Sequence, residues 1–175
     1  HVVAGLFNMV NVPQAVWIDE SGRVVRPVET AGIGENFRDG LDRKTGAMAP
    51  EAVAKNDAIR NTYLAALRDW AENGSASRHV LDPAQARARV ALPDANIEAA
   101  HVNFRLAQAL LRRDRADEAA APIEQARALH PASWTIWRQT AAKNPRSLAS
   151  HPEFFARVDA APAGGFYAPV DMDGM

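Results

Sequence analysis

Thiol exchange, metal binding and hydrolysis each demand particular side chains, and this sequence supplies few of them. It contains no cysteine, which excludes disulfides, thiolate metal sites and a cysteine nucleophile in this chain. The histidines His1, His79, His101, His130 and His151 show no ligand spacing of the His-x-x-x-His kind, and are expected at the surface or at helix ends. Asp171-Met172-Asp173-Gly174 opens like a calcium loop but lacks the remaining ligands and a closing glutamate. Gly32-Ile33-Gly34 is too short for a phosphate loop and has no lysine. Arg112, Arg113 and Arg115 read as a solvated corner. Neither a serine elbow nor a paired-carboxylate signature is present, and no cofactor and no metal are expected. What remains is main-chain chemistry at Asn11-Val12-Pro13, where an X-Pro bond stands before an apolar run. Such a bond is cis in about 5–6% of cases in folded proteins, so residue types alone favour trans.

The elements that must position that loop follow directly. Val3, Leu6, Phe7 and Val10 lie at helical spacing, which predicts the tail of a helix. Ala15 to Ile18 is apolar, with β-branched residues around Trp17, and predicts a mostly buried strand. Asp19-Glu20-Ser21-Gly22 is turn chemistry, and Arg23 to Val28 predicts the returning strand. Pro13 cannot donate to a ladder and fits a strand entry. Glu29 to Lys55, with Gly32, Gly34, Gly40 and Gly46, has the least pattern and is expected to be an insertion, a flap or a disordered stretch. Ile59, Tyr63, Leu67 and Trp70 then mark an amphipathic helix that stops at Asn73-Gly74.

Composition is that of an ordinary globular chain. The 175 residues suffice for one domain or two small ones, and hydrophobic residues make up 47% and charged residues 23%. A net charge of −1 gives no drive toward nucleic acid or an anionic membrane. No apolar run approaches the roughly 18 residues of a membrane span. The chain begins at His1, in the middle of a helical pattern, so it is expected to be a fragment of a longer protein, and its compartment is left open.

The second half is helical. Asp82-Pro83 opens a short helix, with the aspartate as cap and proline at the first helical position; Leu92-Pro93-Asp94 breaks it. Ile97, Ala100, Phe104, Ala107 and Leu111 form one stripe, a polar corner follows, and a second helix runs from about Asp117 to Leu129. His130-Pro131 stops it, and Ser133 caps a third helix through Trp134, Ile136 and Trp137. From Asn144 the prolines and glycines predict an extended tail.

Residues Val10 to Val25, through Asn11-Val12-Pro13, Ala15 to Ile18 and the Asp-x-x-Gly turn, resemble the C-terminal half of thioredoxin-like thiol-disulfide oxidoreductases of the TlpA/ResA-like branch. The likeness covers Val2 to Val28, with the Ile59–Trp70 helix as the last helix of that domain. It implies an α/β half-domain of helix, cis-Pro loop, β-hairpin and helix over residues 1–74, with the insertion at about 29–55. It also implies that Pro13 is the cis-proline and that Val12 offers its backbone to an extended protein or peptide substrate by strand addition. The family's Cys-x-x-Cys would precede His1. Without a thiolate no exchange occurs, so this chain is expected to be catalytically silent. A half-sheet of this kind has an open edge, which invites self-association.

Leu106-Ala107-Gln108-Ala109-Leu110, Arg112 to Ala119, and Ile123, Ala126, Leu129 and Pro131 resemble one tetratricopeptide repeat, with small residues at Ala107, Ala119 and Ala126. The expected layout is therefore α/β followed by all-α, with a repeat-like region at 75–143 and the tail at 144–175. This resemblance implies a groove offering His101, Phe104, Gln108 and Arg112 to a partner; the alternative is that they are the packed or solvated face of a helical bundle. The competing reading for the whole chain is a non-enzymatic protein–protein interaction module whose hairpin is only structural.

Overall fold

A computed structural model describes residues 6–10, 12–34, 40–90, 92–145, 152–161 and 169–175. Among these residues there is one two-stranded antiparallel sheet and six α-helices, so the fold is mixed at first and helical afterwards. Two compact units share the chain: His1–Val90 with Asp159–Met175, and Ala91–Val158. The helical unit is thus inserted between two segments of the first. Residues 75–90 and 159–175, expected with the helical region and the tail, belong to the first unit.

Strands β1 (Gln14–Ile18) and β2 (Val24–Thr30) form the hairpin predicted from the sequence. Asp19 organises its turn. Gly22 N–H donates to the Asp19 carbonyl at 2.9 Å, and Gly22 takes φ +81°, a conformation that costs a glycine little. The Asp19 carboxylate accepts from the Ser21 hydroxyl at 2.6 Å and from the Ser21 and Arg23 N–H groups, both at 2.9 Å. These bonds, the Ser21 hydroxyl first, hold the Asp19 carboxyl well below the usual carboxylate range, at about 2. A depressed folded-state value makes this contribution fully present above about pH 4 and lost as pH falls toward 2. Amide shifts of Ser21 and Arg23 followed by NMR should therefore report the turn loosening within that window, and Asp19→Asn should remove the transition.

The pairing is irregular. Ala15 faces Glu29, Trp17 faces Arg26 and Ile18 faces Val24, so β2 twice uses one residue more than β1. Pro27 falls within the first irregularity, where a residue without an N–H breaks no regular ladder bond. The buried face is Ala15, Trp17 and Val25, leaving Ile18 and Val24 partly exposed at the hairpin tip. This face is one of the two that alternation along the strands allows. It is selected by what packs on it: Tyr63, Ala66, Leu67 and Trp70 of the following helix.

That helix, α1 (Pro50–Asn73), begins at Pro50, its first helical residue. Residues 29–55 are therefore no single insertion: Glu29 and Thr30 close β2, and residues 50–55 are helical. Between them Leu41 bridges Met48, and the Asp42 carboxylate accepts from the Lys44 N–H at 2.8 Å. Gly74 ends α1 at φ +54°, as the Asn73-Gly74 stop predicts. Ser77 donates to Asp69 at 2.5 Å and ties the following link back to α1. Leu81 N–H then donates to the Val25 carbonyl at 3.1 Å, covering part of the outer edge of β2. Helix α2 (Pro83–Ala88) starts with the expected Asp82 cap, completed by Gln85 as a capping box.

In the second unit, α3 (Ala95–Leu111) and α4 (Ala116–Leu129) pack as an antiparallel hairpin. Ala100, Ala107, Ala119 and Ala126 are all sealed; their small side chains allow the close approach expected from the sequence. Asp114 stands where a glycine is usual. It takes φ +57° while Arg115 N–H reaches back to the Leu110 carbonyl at 3.1 Å, a helix stop that aspartate tolerates better than most residues. Helix α4 runs on through Pro122. Helix α5 (Trp134–Thr140) carries the predicted Ser133 cap and buries Ile136 against Phe104 and Ala126. The region expected to be only an extended tail contains α6 (Pro152–Asp159).

Candidate functional site

The loop before β1 is assembled from its neighbours. Leu6 is helical, and Asn8 takes φ +52°, a conformation that does not continue a helix. Val10 N–H donates to the Gln14 side-chain carbonyl at 2.7 Å. The Val12–Pro13 peptide is cis; Asn11 lies outside the described residues. Ala31 N–H donates to the Pro13 carbonyl at 3.1 Å, so the ladder with β2 extends back to the proline. Val12 is 88% exposed, an unusual position for a valine. Among the described residues, Ala15 to Ile18 make no main-chain ladder except with β2, so the outer edge of β1 is open. An open edge beside an exposed apolar residue is what strand addition requires.

What lies beneath the loop escaped the sequence. Trp17 Nε1–H donates to the Tyr63 hydroxyl at 2.8 Å, and that hydroxyl donates to Glu29 at 3.1 Å. Glu29 receives Arg26 in a fork, from Nε at 3.0 Å and from Nη2 at 2.8 Å. Arg26 is buried and lies over the Trp17 ring at 5.4 Å. Its remaining donors go to main-chain oxygens, of His79 at 3.0 Å and of Asp171 at 2.9 Å. Burial, offset in part by the Trp17 bond and reinforced by the Glu29 charge, pushes the Tyr63 hydroxyl up to about 12. It therefore stays protonated at neutral pH and serves as a fixed donor, not as an acid–base group. The signal available was a lone arginine in the apolar run Val24-Val25-Arg26-Pro27-Val28; its partners stand up to 145 positions away.

Asp171-Met172-Asp173-Gly174 also belongs here. Met172 is buried against Trp17, Val25, Tyr63 and Ala66. Arg89 grips Asp171 through its carbonyl at 3.0 Å and its carboxylate at 2.6 Å. The stretch that opens like a calcium loop is a docking segment.

The four residues considered for a partner groove do follow one side of α3 but differ in access. Phe104 is buried with Ala100, Ala126 and Ile136, so it builds the core of the hairpin and is not on an open face. His101 and Gln108 are half-buried, and Arg112 is exposed at the helix end. His101 stands edge-on to His130 with ring centres 6.2 Å apart. Burial, then the charges of His130 and Arg105, push His101 below its ordinary value. Among the described residues no cluster of three or more His, Asp or Glu is placed to hold a metal ion, and no helix is long and apolar enough to cross a membrane.

Comparison with protein-family models, curated proteins and solved structures finds no match to this chain.

Proposed function

We propose that this chain is the C-terminal part of a thioredoxin-like thiol-disulfide oxidoreductase of the TlpA/ResA-like kind, and that the main chain of Val12, beside Pro13, pairs with an extended segment of a protein substrate. The observation that carries this is the exposed Val12 at the entry to β1, a strand that among the described residues pairs only with β2. The order of the elements supports it: loop, β1, Asp-x-x-Gly turn, β2, and then a helix that seats Tyr63 and Trp70 on the sheet. Main-chain bonds to an edge strand supply affinity with little sequence selectivity, which suits an oxidoreductase acting on varied substrates. Exchange itself needs a thiolate, and the sequence has none. A second copy of the chain competes for the same edge.

The second unit supports a different reading, a non-enzymatic interaction module of tetratricopeptide type. What favours it is the tight α3–α4 hairpin built on Ala107, Ala119 and Ala126. An NMR titration of the whole chain with an extended, cysteine-free peptide separates the two. The docking reading expects amide shifts at Val12 and at Ala15 to Ile18, and at least a tenfold weakening in Val12→Pro. Shifts centred on His101, Gln108 and Arg112 would favour the interaction module. Thiol-dependent turnover of a disulfide substrate by the purified chain would overturn the expectation that it is silent.

A further inference from the structure

Residues 169–175 lie on the first unit as a ligand lies on a receptor. Among the described residues they join neither the sheet nor a helix. Three features hold them. Met172 is the anchor, sealed by Trp17, Val25, Tyr63 and Ala66, with Val170 packed beside it. Asp171 is the clamp. Its carbonyl accepts from Arg26 Nη2 at 2.9 Å and from Arg89 Nη1 at 3.0 Å, and its carboxylate accepts from Arg89 Nη2 at 2.6 Å. Gly174 closes a turn: it takes φ +87°, and Met175 N–H donates to the Met172 carbonyl at 3.1 Å. A Cβ built on Gly174 would stand 3.4 Å from the Thr62 methyl carbon, so the turn rests against α1.

The walls of this groove are fixed by bonds that do not involve the segment. Arg26 is held by the Glu29 fork and the His79 carbonyl, and Tyr63 by Trp17 and Glu29. A site whose donors are already oriented loses little freedom when it is filled. The grip on the segment is of a kind that exchanges. The side chains of Asp171 and Arg89 are 85% and 34% exposed, so their ion pair opens to water at small cost. No strand ladder has to break. One apolar anchor, one acidic clamp and a terminal turn are also a complete short recognition sequence.

We propose that the face made by β2, α1 and Arg89 is a peptide-recognition site for an Asp-Met-x-Gly segment, that residues 169–175 are its resident ligand, and that the same segment of a second copy of this chain takes their place when copies are concentrated. Within one chain the tether presents the segment at an effective concentration on the order of millimolar, which keeps the site filled in dilute solution. Exchange of an identical element between copies adds no new contact and is a low-cost route to a dimer.

The test uses the full chain carrying Asp171→Ala with Met172→Ala, which disables the resident segment. The probe is a fluorescein-labelled, C-terminally amidated peptide, Pro-Val-Asp-Met-Asp-Gly-Met. Fluorescence polarisation should show saturable binding at least tenfold tighter than to the unsubstituted chain, whose own segment occupies the site. Serine in place of the peptide methionine that matches Met172 should weaken binding at least tenfold. Arg89→Gln added to the disabled chain should weaken it about threefold, the scale of an exposed ion pair, and by less when the peptide carries asparagine for the aspartate that matches Asp171. The peptide should raise the melting temperature of the disabled chain; if that chain is unfolded by itself, the peptide should restore its transition. Sedimentation should show dimers of the concentrated unsubstituted chain that the disabled chain does not form. Failure of the disabled chain to bind the peptide or to regain its transition, equal binding by the unsubstituted chain, equal binding of the serine peptide, or an unsubstituted chain that stays monomeric would each overturn the assignment.

Discussion

Arg26→Ala should destabilise the first unit by roughly 3–5 kcal/mol, the usual cost of breaking a buried ion pair from one side. The side chains of Arg26 and Glu29 are 3% and 12% exposed, so neither charge is rescued by water once its partner is gone. The loss spreads beyond the pair. Two main-chain oxygens, of His79 and Asp171, lose their guanidinium donors, and the Trp17 ring loses the cation above it. Urea unfolding followed by tryptophan fluorescence measures the change. Glu29→Gln should cost less, since the amide oxygen still accepts from Arg26 and Tyr63, and the two variants together should be less than additive because they share one network. A change below 1 kcal/mol in Arg26→Ala would mean that the network contributes little to the fold.

A chain ending at residue 168 should lose a comparable amount, again from the first unit alone. Removing Met172 from a closed core costs about 2–5 kcal/mol by analogy with other large-to-small substitutions. The truncation also takes away the Asp171 carbonyl from both Arg26 and Arg89. Calorimetry should show the transition of the first unit shifted down by ten degrees or more, since a change of 1 kcal/mol moves a domain of this size by about 4–8 °C. The helical unit should melt as before, because Ala100, Phe104, Ala126 and Ile136 make no use of the removed segment. Met172→Ala isolates the packing term. Unchanged melting in the truncated chain would show that the docking of Asp171 and Met172 is incidental.

What the residues disclose by themselves is local. Asp82-Pro83, Ser133 and Asn73-Gly74 end helices through bonds that span three or four positions, so the types and their order suffice. The hairpin is legible for the same reason, its turn being closed by Asp19 on residues two and four positions ahead. The start of α1 was obscured because Pro50 to Lys55 is rich in alanine and presents no apolar stripe; Val53 is 45% exposed. The buried face of β1 depended on which side α1 packed, a long-range choice that alternation cannot make. The stripe of His101, Phe104 and Gln108 on α3 does not by itself tell an open groove from a packed face; α5 decides it at Phe104 by covering it with Ile136. Arg26 and Met172 were opaque for the deepest reason: their environments are assembled from segments far apart in the chain.

The placement of Met172 carries a consequence for synthesis. Residues 91–158 form their own unit and can fold as soon as they leave the ribosome. The sheet unit, whose strands are made first, cannot close over Trp17 and Tyr63 until residues 170–172 have followed. Strands β1 and β2 therefore wait for residues 170–172. In a nascent chain the β1 edge exists before the core that supports it, and that interval is when protection of the edge matters most.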